Sequence, residues 1–77
     1  MNYINNDVWV FVEHRNGKAA DVSLELLSKG RKLADCIGSQ LKSVIIGDSV
    51  IEIALDTANY GADEAIIIEH PFLKDYL

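Results

Sequence analysis

The sequence is poor in cysteine, proline and aromatic residues, and it contains no long apolar run. A single cysteine cannot form a disulfide within the chain, which is typical of a reducing compartment. No apolar run approaches the roughly 20 residues that a membrane-spanning helix needs, so we expect no membrane insertion. The first residues, from Met1 to Asp7, also lack the basic flank and apolar core of a secretory signal. These absences predict a soluble intracellular protein.

Basic residues are also scarce, since seven Lys and Arg stand against twelve Asp and Glu, a formal charge of −5. An acidic chain of this kind repels nucleic acid and anionic lipid, so we expect neither as a partner. What remains is a globular composition, 49% hydrophobic and 25% charged. The 77 residues are enough for one small domain and too few for two.

Three short apolar runs predict strands. They span Val8–Val12, Leu41–Ile46 and Ala65–Ile68, and they are rich in β-branched residues. Glycine, aspartate or asparagine lies at or near an end of each run, as expected for short strands of a globular domain.

Apolar residues recur at helical spacing between the first two predicted strands. The predicted buried stripe consists of Val22, Leu26, Gly30, Leu33 and Ile37, widened by Leu27 and Ala34. We expect Asp21 to cap or charge the first turn and Gly38 to end the helix.

A second helix is predicted between the second and third strands. It should begin at Ser49, because Ser49 and Glu52 have the spacing of a capping box. The predicted inward-facing residues are Ile53, Ala54 and Ala58. We expect this helix to end at Tyr60-Gly61.

Strand, helix, strand, helix, strand is the order of parallel βαβ units with right-handed crossovers, so we predict an α/β fold. With the strand order 3-2-1, both helices would cover one face of the sheet. All three strands, however, are apolar on successive residues, as in sheets covered on both faces. Trp9 and Phe11 would point to one face, and Val8, Val10 and Val12 to the other. We therefore expect a bare face, and a chain that belongs to a larger domain or docks on another chain.

The first strand runs into Glu13-His14-Arg15-Asn16-Gly17-Lys18, at the sheet edge where open α/β folds bind ligands. Arg15, Lys18 and the next helix N-terminus would suit a phosphate. Neither glycine-rich phosphate motif is present, however, and Glu13 and Asp21 flank the loop with the wrong charge. We favour an ordinary connecting loop over a phosphate cradle.

His14 and His70 each follow a glutamate, which raises the question of a metal site. In the 3-2-1 order their strands are about 10 Å apart, too far for shared ligation. No third Cys or His ligand is near in sequence, so we expect solvated strand-end histidines. Cys36 has no C-x-x-C partner and is expected to be a structural or partly exposed thiol.

The remaining candidates carry no chemistry of their own. Trp9, Phe11 and Phe72 are expected to be core or interface aromatics. No residues have the spacing of a paired acid and base, or of a nucleophile with its base. We therefore assign no catalytic, cofactor-binding or metal-binding residue.

Five motifs follow one another along the chain in a recognisable order. They are Val8–Glu13 with Gly17-Lys18, Leu26–Ala34, Gly47-Asp48, Tyr60–Asp63, and Glu69-His70-Pro71 with Leu73 and Tyr76. In this order and spacing they resemble the opening of the electron transfer flavoprotein α subunit. The resemblance covers nearly the whole chain, from Asp7 to Leu77.

The resemblance implies a position within a longer subunit. Residues 1–77 would be the N-terminal part of its N-terminal α/β domain, a three-layer Rossmann-like parallel sheet akin to the adenine nucleotide α-hydrolase group. This chain would supply only a β-α-β-α-β portion of it. The family's FAD is held mainly by a C-terminal domain whose signature is absent from this sequence. AMP, or a second FAD in bifurcating members, is held by the β subunit.

The resemblance also implies partners and a location. The chain would associate with an electron transfer flavoprotein β subunit in a heterodimer. Electrons would come from acyl-CoA dehydrogenases, as in fatty acid oxidation, or from NADH in bifurcating systems. The expected compartment is the bacterial cytoplasm rather than the mitochondrial matrix.

Three functional hypotheses follow. The leading one is a non-catalytic scaffold and subunit interface within a flavin-based electron carrier. The alternative is a stand-alone nucleotide-binding α/β module that uses the loop of residues 13–18. The third is a small structural protein that self-associates through its bare sheet face.

Overall fold

In the computed structural model, which describes residues 6–69, the chain forms five strands and two helices. The strands are β1 (Val8–Phe11), β2 (His14–Arg15), β3 (Lys18–Ala19), β4 (Leu41–Gly47) and β5 (Glu64–Glu69). The helices are α1 (Asp21–Ile37) and α2 (Ile51–Asn59). Neither of these helices is long and apolar enough to cross a membrane. The predictions for His70, Phe72 and the motif residues after Glu69 lie outside the described residues.

The three longer strands form one parallel sheet in the order β1-β4-β5. Val8 pairs with Leu41 across the first ladder, and Lys42 pairs with Glu64 across the second. Neighbouring parallel strands need a long crossover, and α1 and α2 supply the two crossovers here. The predicted α/β fold class is therefore confirmed as a Rossmann-like βαβαβ portion.

Both helices cover the same face of the sheet, which we call the inner face. Residues of β4 alternate between buried and half-buried, with Leu41, Ser43 and Ile45 buried. Gly30 of α1 packs on Leu41, and Thr57 of α2 hydrogen-bonds to Ser43, so both helices lie on this side. The buried hydrophobic core consists of Val10, Val12, Leu27, Ala34, Leu41, Ile45, Val50, Ile53 and Ala54.

The ends of α1 agree with the sequence. Gly38 has φ of 69°, a left-handed conformation, and its N–H donates to the Ala34 carbonyl. Asp21 lies in the first turn, where its charge suits the helix dipole. It does not cap the helix, because the N-cap residue is Ala20, without a side-chain hydrogen bond.

The buried face of α1 differs from the predicted stripe. Ser23, Leu27, Gly30 and Ala34 are buried, whereas Val22, Leu26, Leu33 and Ile37 are about half exposed. The predicted stripe is therefore wrong except at Gly30. Leu27 and Ala34, which were expected only to widen the stripe, belong to the observed buried face. Three of the four buried residues are small, so the helix backbone lies close to the sheet. The face of α1 that packs closely on the sheet is therefore the one with small residues, and four larger apolar side chains of the helix remain half exposed.

The N-terminus of α2 also differs from the prediction. The helix begins at Ile51, and its N-cap residue, Val50, makes no side-chain capping bond. Ser49 has φ of 58° and lies outside the helix, so the predicted capping box is wrong. Instead, the Val50 N–H donates to Glu69 Oε2 at 3.2 Å. The Glu69 carboxylate thus accepts the N–H of the N-cap residue, the bond that a Glu or Gln in the first helical turn makes in a capping box.

The inward face of α2 consists of Ile53, Ala54 and Thr57. The first two were predicted, whereas the predicted Ala58 is exposed. Thr57 can be buried because Ser43 Oγ lies 3.0 Å from its hydroxyl. Because Ser43 on β4 provides this hydrogen bond, Thr57 is buried, although hydrophobicity alone would favour Ala58.

An arginine and an aspartate tie the helices to the start of β4. Arg31 of α1 donates from Nη1 to the Gly61 carbonyl and to Asp63 Oδ2, each at 2.8 Å. Asp63 Oδ2 also accepts the Leu41 N–H at 2.8 Å. That backbone bond, followed by the bond from Arg31, lowers the pKa of Asp63 from its ordinary 3.8. The pKa of Arg31 is raised chiefly by the same contact with Asp63.

Candidate functional site at the sheet rim and outer face

Residues after β1 form a small hairpin at the carboxyl-end rim of the sheet. β2 and β3 pair antiparallel, with His14 opposite Ala19 and Arg15 opposite Lys18. Asn16 and Gly17 join them with φ of 55° and 76°. Positive φ at both central residues is the type I′ geometry that Asn-Gly favours. The predicted plain loop is therefore a hairpin, residues 14–19, which we call the rim hairpin.

The base of the rim hairpin is fixed by hydrogen bonds. The Ala20 N–H donates to the Glu13 carbonyl at 2.8 Å, which closes the hairpin. The Glu13 N–H donates to Ser23 Oγ, also at 2.8 Å, and Ser23 is a buried residue of α1. The hairpin therefore has a defined orientation relative to the sheet.

His14 anchors the rim hairpin to β4. Its Nε2 lies 2.8 Å from the Ile46 carbonyl oxygen, so this nitrogen carries a proton and donates it. A Cβ at Gly47 would lie 2.9 Å from the same Nε2, so the close approach requires glycine. His14 is half-buried, and the predicted solvated histidine is wrong. Its donated bond serves the structure and leaves Nε2 unable to act as a base.

Two shallow clefts flank the rim hairpin. One, of about 260 Å³, is lined by Glu13, His14, Arg15 and Ala20. The other, of about 430 Å³, is lined by Gly17, Ser49, Ile51, Glu52, Ile53 and Glu69. Each cleft has at least one carboxylate in its wall. Glu69 also accepts the Val50 N–H, so its carboxylate lies at the N-terminus of α2, where a phosphate would have to bind. This chemistry does not fit a phosphate group.

The opposite side of the sheet, which we call the outer face, is apolar along much of its length. Because side chains alternate along strands, its apolar residues are Trp9, Phe11, Val44, Ile46, Ile66 and Ile68. The register places Phe11 beside Val44, and Val44 beside Ile66. Trp9 and Phe11 are 49% and 44% exposed. The predicted bare face is thus present within residues 6–69, with both aromatics on its edge strand β1.

One end of the outer face is polar, a feature that the sequence did not reveal. Lys42 Nζ lies 3.1 Å from Asp7 Oδ2, 3.4 Å from Glu64 Oε1 and 5.2 Å from the centre of the Trp9 ring. The hydrogen bond to Asp7 is the largest cause of the raised pKa of Lys42. Hydrophobic patterning places Lys42 within an apolar strand, and only the register shows that it meets these groups.

The other candidate residues lie apart from these surfaces. Cys36 is an exposed free cysteine on α1. Across residues 6–69, no group of three or more His, Cys, Asp or Glu side chains has an arrangement that would hold a metal ion. The structure therefore gathers its candidate features at two places, the rim hairpin and the outer face.

Comparison with known proteins identifies relatives, several of which have electron-transfer names. The chain is 50% identical over 70 residues to the acryloyl-CoA reductase electron transfer subunit beta of Anaerotignum propionicum, covering 91% of this chain and 19% of that protein. It is 40% identical over 70 residues to the electron transfer flavoprotein subunit alpha of Thermoanaerobacterium thermosaccharolyticum, covering 91% and 21%. It is 42% identical over 74 residues to the FixB protein of Rhizobium meliloti, again covering 91% and 21%.

The chain thus spans about a fifth of the length of these relatives. The electron transfer flavoprotein domain family matches residues 8–77, which is most of the sequence. The parallel βαβαβ portion, from Val8 to Glu69, lies within the matched residues. The chain therefore belongs to the electron transfer flavoprotein domain family, in the line of its α and FixB subunits.

Proposed function

We propose that this chain is the N-terminal part of the α/β domain of an electron transfer flavoprotein α subunit, and that it serves as scaffold and docking surface. The electron-carrying FAD would be held by another part of the complex. The outer face is the observation that carries the proposal. A row of apolar side chains on a three-stranded sheet needs a covering layer, and neither α1 nor α2 supplies it.

The carboxylates near the helix N-termini at the sheet rim support a scaffold that does not hold the flavin. A flavin nucleotide needs a site for its pyrophosphate, commonly at a helix N-terminus. At α2 the Val50 amide is already bonded to Glu69, and at α1 the first turn carries Asp21. We therefore propose that FAD, and the AMP or second FAD of the partner β subunit, lie outside this segment.

The proposed electron partners are enzymes that act on acyl-CoA compounds. One relative is named as an electron transfer subunit of acryloyl-CoA reductase. The name of that relative supports acyl-CoA reductases as partners for this chain, in addition to the acyl-CoA dehydrogenases of fatty acid oxidation. The segment itself has no proposed catalytic step.

Introducing a charged side chain on the outer face tests the scaffold proposal. In the full-length subunit, Phe11→Lys would place an ammonium group in the buried layer, whereas Ser28→Lys adds the same charge at an exposed position of α1. We expect Phe11→Lys to lower the thermal unfolding temperature or the yield of FAD-containing complex, and Ser28→Lys to leave both unchanged. Equal behaviour of the two variants would contradict a covered outer face.

The alternative, a nucleotide-binding module at residues 13–18, makes a different prediction. Titration of the 77-residue chain with AMP, ATP and FAD separates the two proposals. We expect no micromolar binding, because carboxylates line both clefts beside the hairpin. Micromolar binding of any of the three by this chain alone would overturn the scaffold proposal.

A further inference from the structure

Two basic side chains point away from the body of the protein on the rim hairpin. Directly opposed residues of an antiparallel pair project to the same face of a hairpin. His14 and Ala19 are opposed and half-buried, and His14 contacts β4. Arg15 and Lys18 are the next opposed pair, and both are exposed. They therefore lie side by side on the outward surface of the hairpin.

Within residues 6–69, neither member of this pair forms an ion pair with a carboxylate. The ion pairs of the described chain engage Arg31 and Lys42, each with two acidic partners. Arg15 and Lys18 take part in none of them, although the chain carries twelve acidic residues. The charge of the pair is thus presented to the surroundings.

The arrangement is locally unfavourable, because like charges directly opposite each other destabilise a strand pair. The hairpin cannot readily move to separate the two charges. The hydrogen bond of His14 to β4 and the bonds at the base of the hairpin hold the hairpin against β4 and α1. Where a sequence breaks a local rule without compensation nearby, the site is a candidate for binding. An anionic group on the outward side would provide that compensation.

We propose that Arg15 and Lys18 form a cationic contact for an acidic surface of the partner subunit. This inference rests on the proposed function, in which a second subunit docks on this chain. A small phosphate ligand fits less well, because the cleft that Arg15 lines also contains Glu13, and the other cleft contains Glu52 and Glu69. The outward side is open, as docking of a large partner requires. Exposed charges of this kind act mainly on the rate of association.

The experiment uses the full-length subunit and its partner subunit, with association followed by stopped-flow at low and high salt. Arg15→Glu removes the cationic pair and places a carboxylate opposite Lys18. We expect the association rate constant to fall on the order of tenfold at low salt, with a weaker salt dependence. The thermal unfolding temperature should stay equal or rise, because the opposed charges now attract.

Lys32→Glu is the matched control, since it makes the same change in net charge at an exposed position of α1. We expect its association rate to stay within about twofold of the parent at each salt concentration. Lys18→Glu should reproduce the effect of Arg15→Glu, which guards against a folding defect in one variant.

The outcomes separate this contact from the function on which it rests. Failure of the parent subunit to associate at any salt concentration contradicts both proposals. Equal rates for the parent and Arg15→Glu, or equal slowing in Arg15→Glu and Lys32→Glu, contradict the contact alone. Binding of inorganic phosphate or AMP that is lost in Arg15→Glu would also overturn it, in favour of a phosphate ligand.

Discussion

Two buried hydroxyl groups connect α2 to the centre of the sheet. Thr57 Oγ1 donates to the Ala54 carbonyl at 2.7 Å, which uses its only proton. Ser43 Oγ lies 3.0 Å from Thr57 Oγ1 and is therefore the donor of that bond. Both residues are fully buried. Each hydroxyl thus depends on the other for its place in the core.

Removing one member of this pair should cost more than removing both. Thr57→Val keeps the shape of the side chain but leaves the buried Ser43 hydroxyl without its acceptor, a loss of about 1–3 kcal/mol. Adding Ser43→Ala removes the orphaned group, so the double variant should regain part of that loss. Urea unfolding of the parent, the two single variants and the double variant, each in the full-length subunit, gives the coupling free energy. Strict additivity of the two single changes would show that the hydroxyls do not depend on each other.

The hydrogen bonds that Asp63 accepts from Arg31 and from the Leu41 N–H should make the stability of the folded protein depend on pH. The pKa of Asp63 is lowered in the folded protein, chiefly by the Leu41 N–H and then by Arg31. The stabilisation is therefore present above the ordinary pKa of 3.8 and is lost as pH falls through the lower folded value. In the full-length subunit, we expect Asp63→Asn to lower the denaturant midpoint at pH 7.

The difference between Asp63→Asn and the parent should shrink as the pH falls below 3.8. Asp35→Asn is the control, because Asp35 also pairs with Arg31 but is 68% exposed. Exposed pairs contribute little, so this variant should unfold near the parent midpoint. A deficit for Asp63→Asn that stays constant down to pH 2 would contradict the role of its ionised form.

Helix α1 packs closely against the sheet at Gly30. A Cβ built at Gly30 would lie 2.9 Å from Leu41 Cδ1 and 3.4 Å from Val10 Cγ2. Glycine in a helix interior costs about 1 kcal/mol relative to alanine. That cost is offset here because the helix backbone can contact the strands directly. The contact confirms the prediction that Gly30 lies at the helix–sheet interface.

Gly30→Leu should overpack this interface and destabilise the full-length subunit by about 1–3 kcal/mol. Ser28→Leu adds the same side chain at an exposed position of α1 and should change stability by about 0.5 kcal/mol or less. Chemical denaturation of both variants beside the parent provides the measurement. An unchanged midpoint for Gly30→Leu would show that α1 does not contact the sheet at this residue.

Strand positions and topology could be predicted from the sequence, because runs such as Val8–Val12 combine β-branched residues with short length. The face of α1 could not, because Leu26 and Leu33 are more apolar than the small residues that pack on the sheet. The α2 start was missed because its amide partner, Glu69, is distant in sequence. The rim hairpin was missed although Asn16-Gly17 is a strong local signal.

Within residues 6–69, the sheet has one covered and one uncovered face. Ile68 is 48% exposed, comparable to the aromatics of β1, so the apolar surface extends from β1 to β5. Three strands of this length present an apolar patch on the order of 200–300 Å². β1 and β5 are also edge strands in the described sheet, with backbone groups free to pair with another chain.

Both features predict that the 77-residue polypeptide alone does not persist as a compact monomer. Its charge of −5 opposes association only weakly, because repulsion is screened beyond about 8 Å at physiological salt. We expect the isolated chain to self-associate or to remain partly unfolded. Within the full-length subunit the same residues should form a stable part of the domain.

Sedimentation velocity of the 77-residue polypeptide at micromolar concentration, combined with amide hydrogen exchange, tests this account most directly. We predict a broad or concentration-dependent distribution, with rapid exchange in at least one of β1, β4 and β5. The full-length subunit is the control and should show slow exchange in all three strands. A sharp monomer peak with long-lived protection in β1, β4 and β5 of the isolated chain would contradict the requirement for a covering layer.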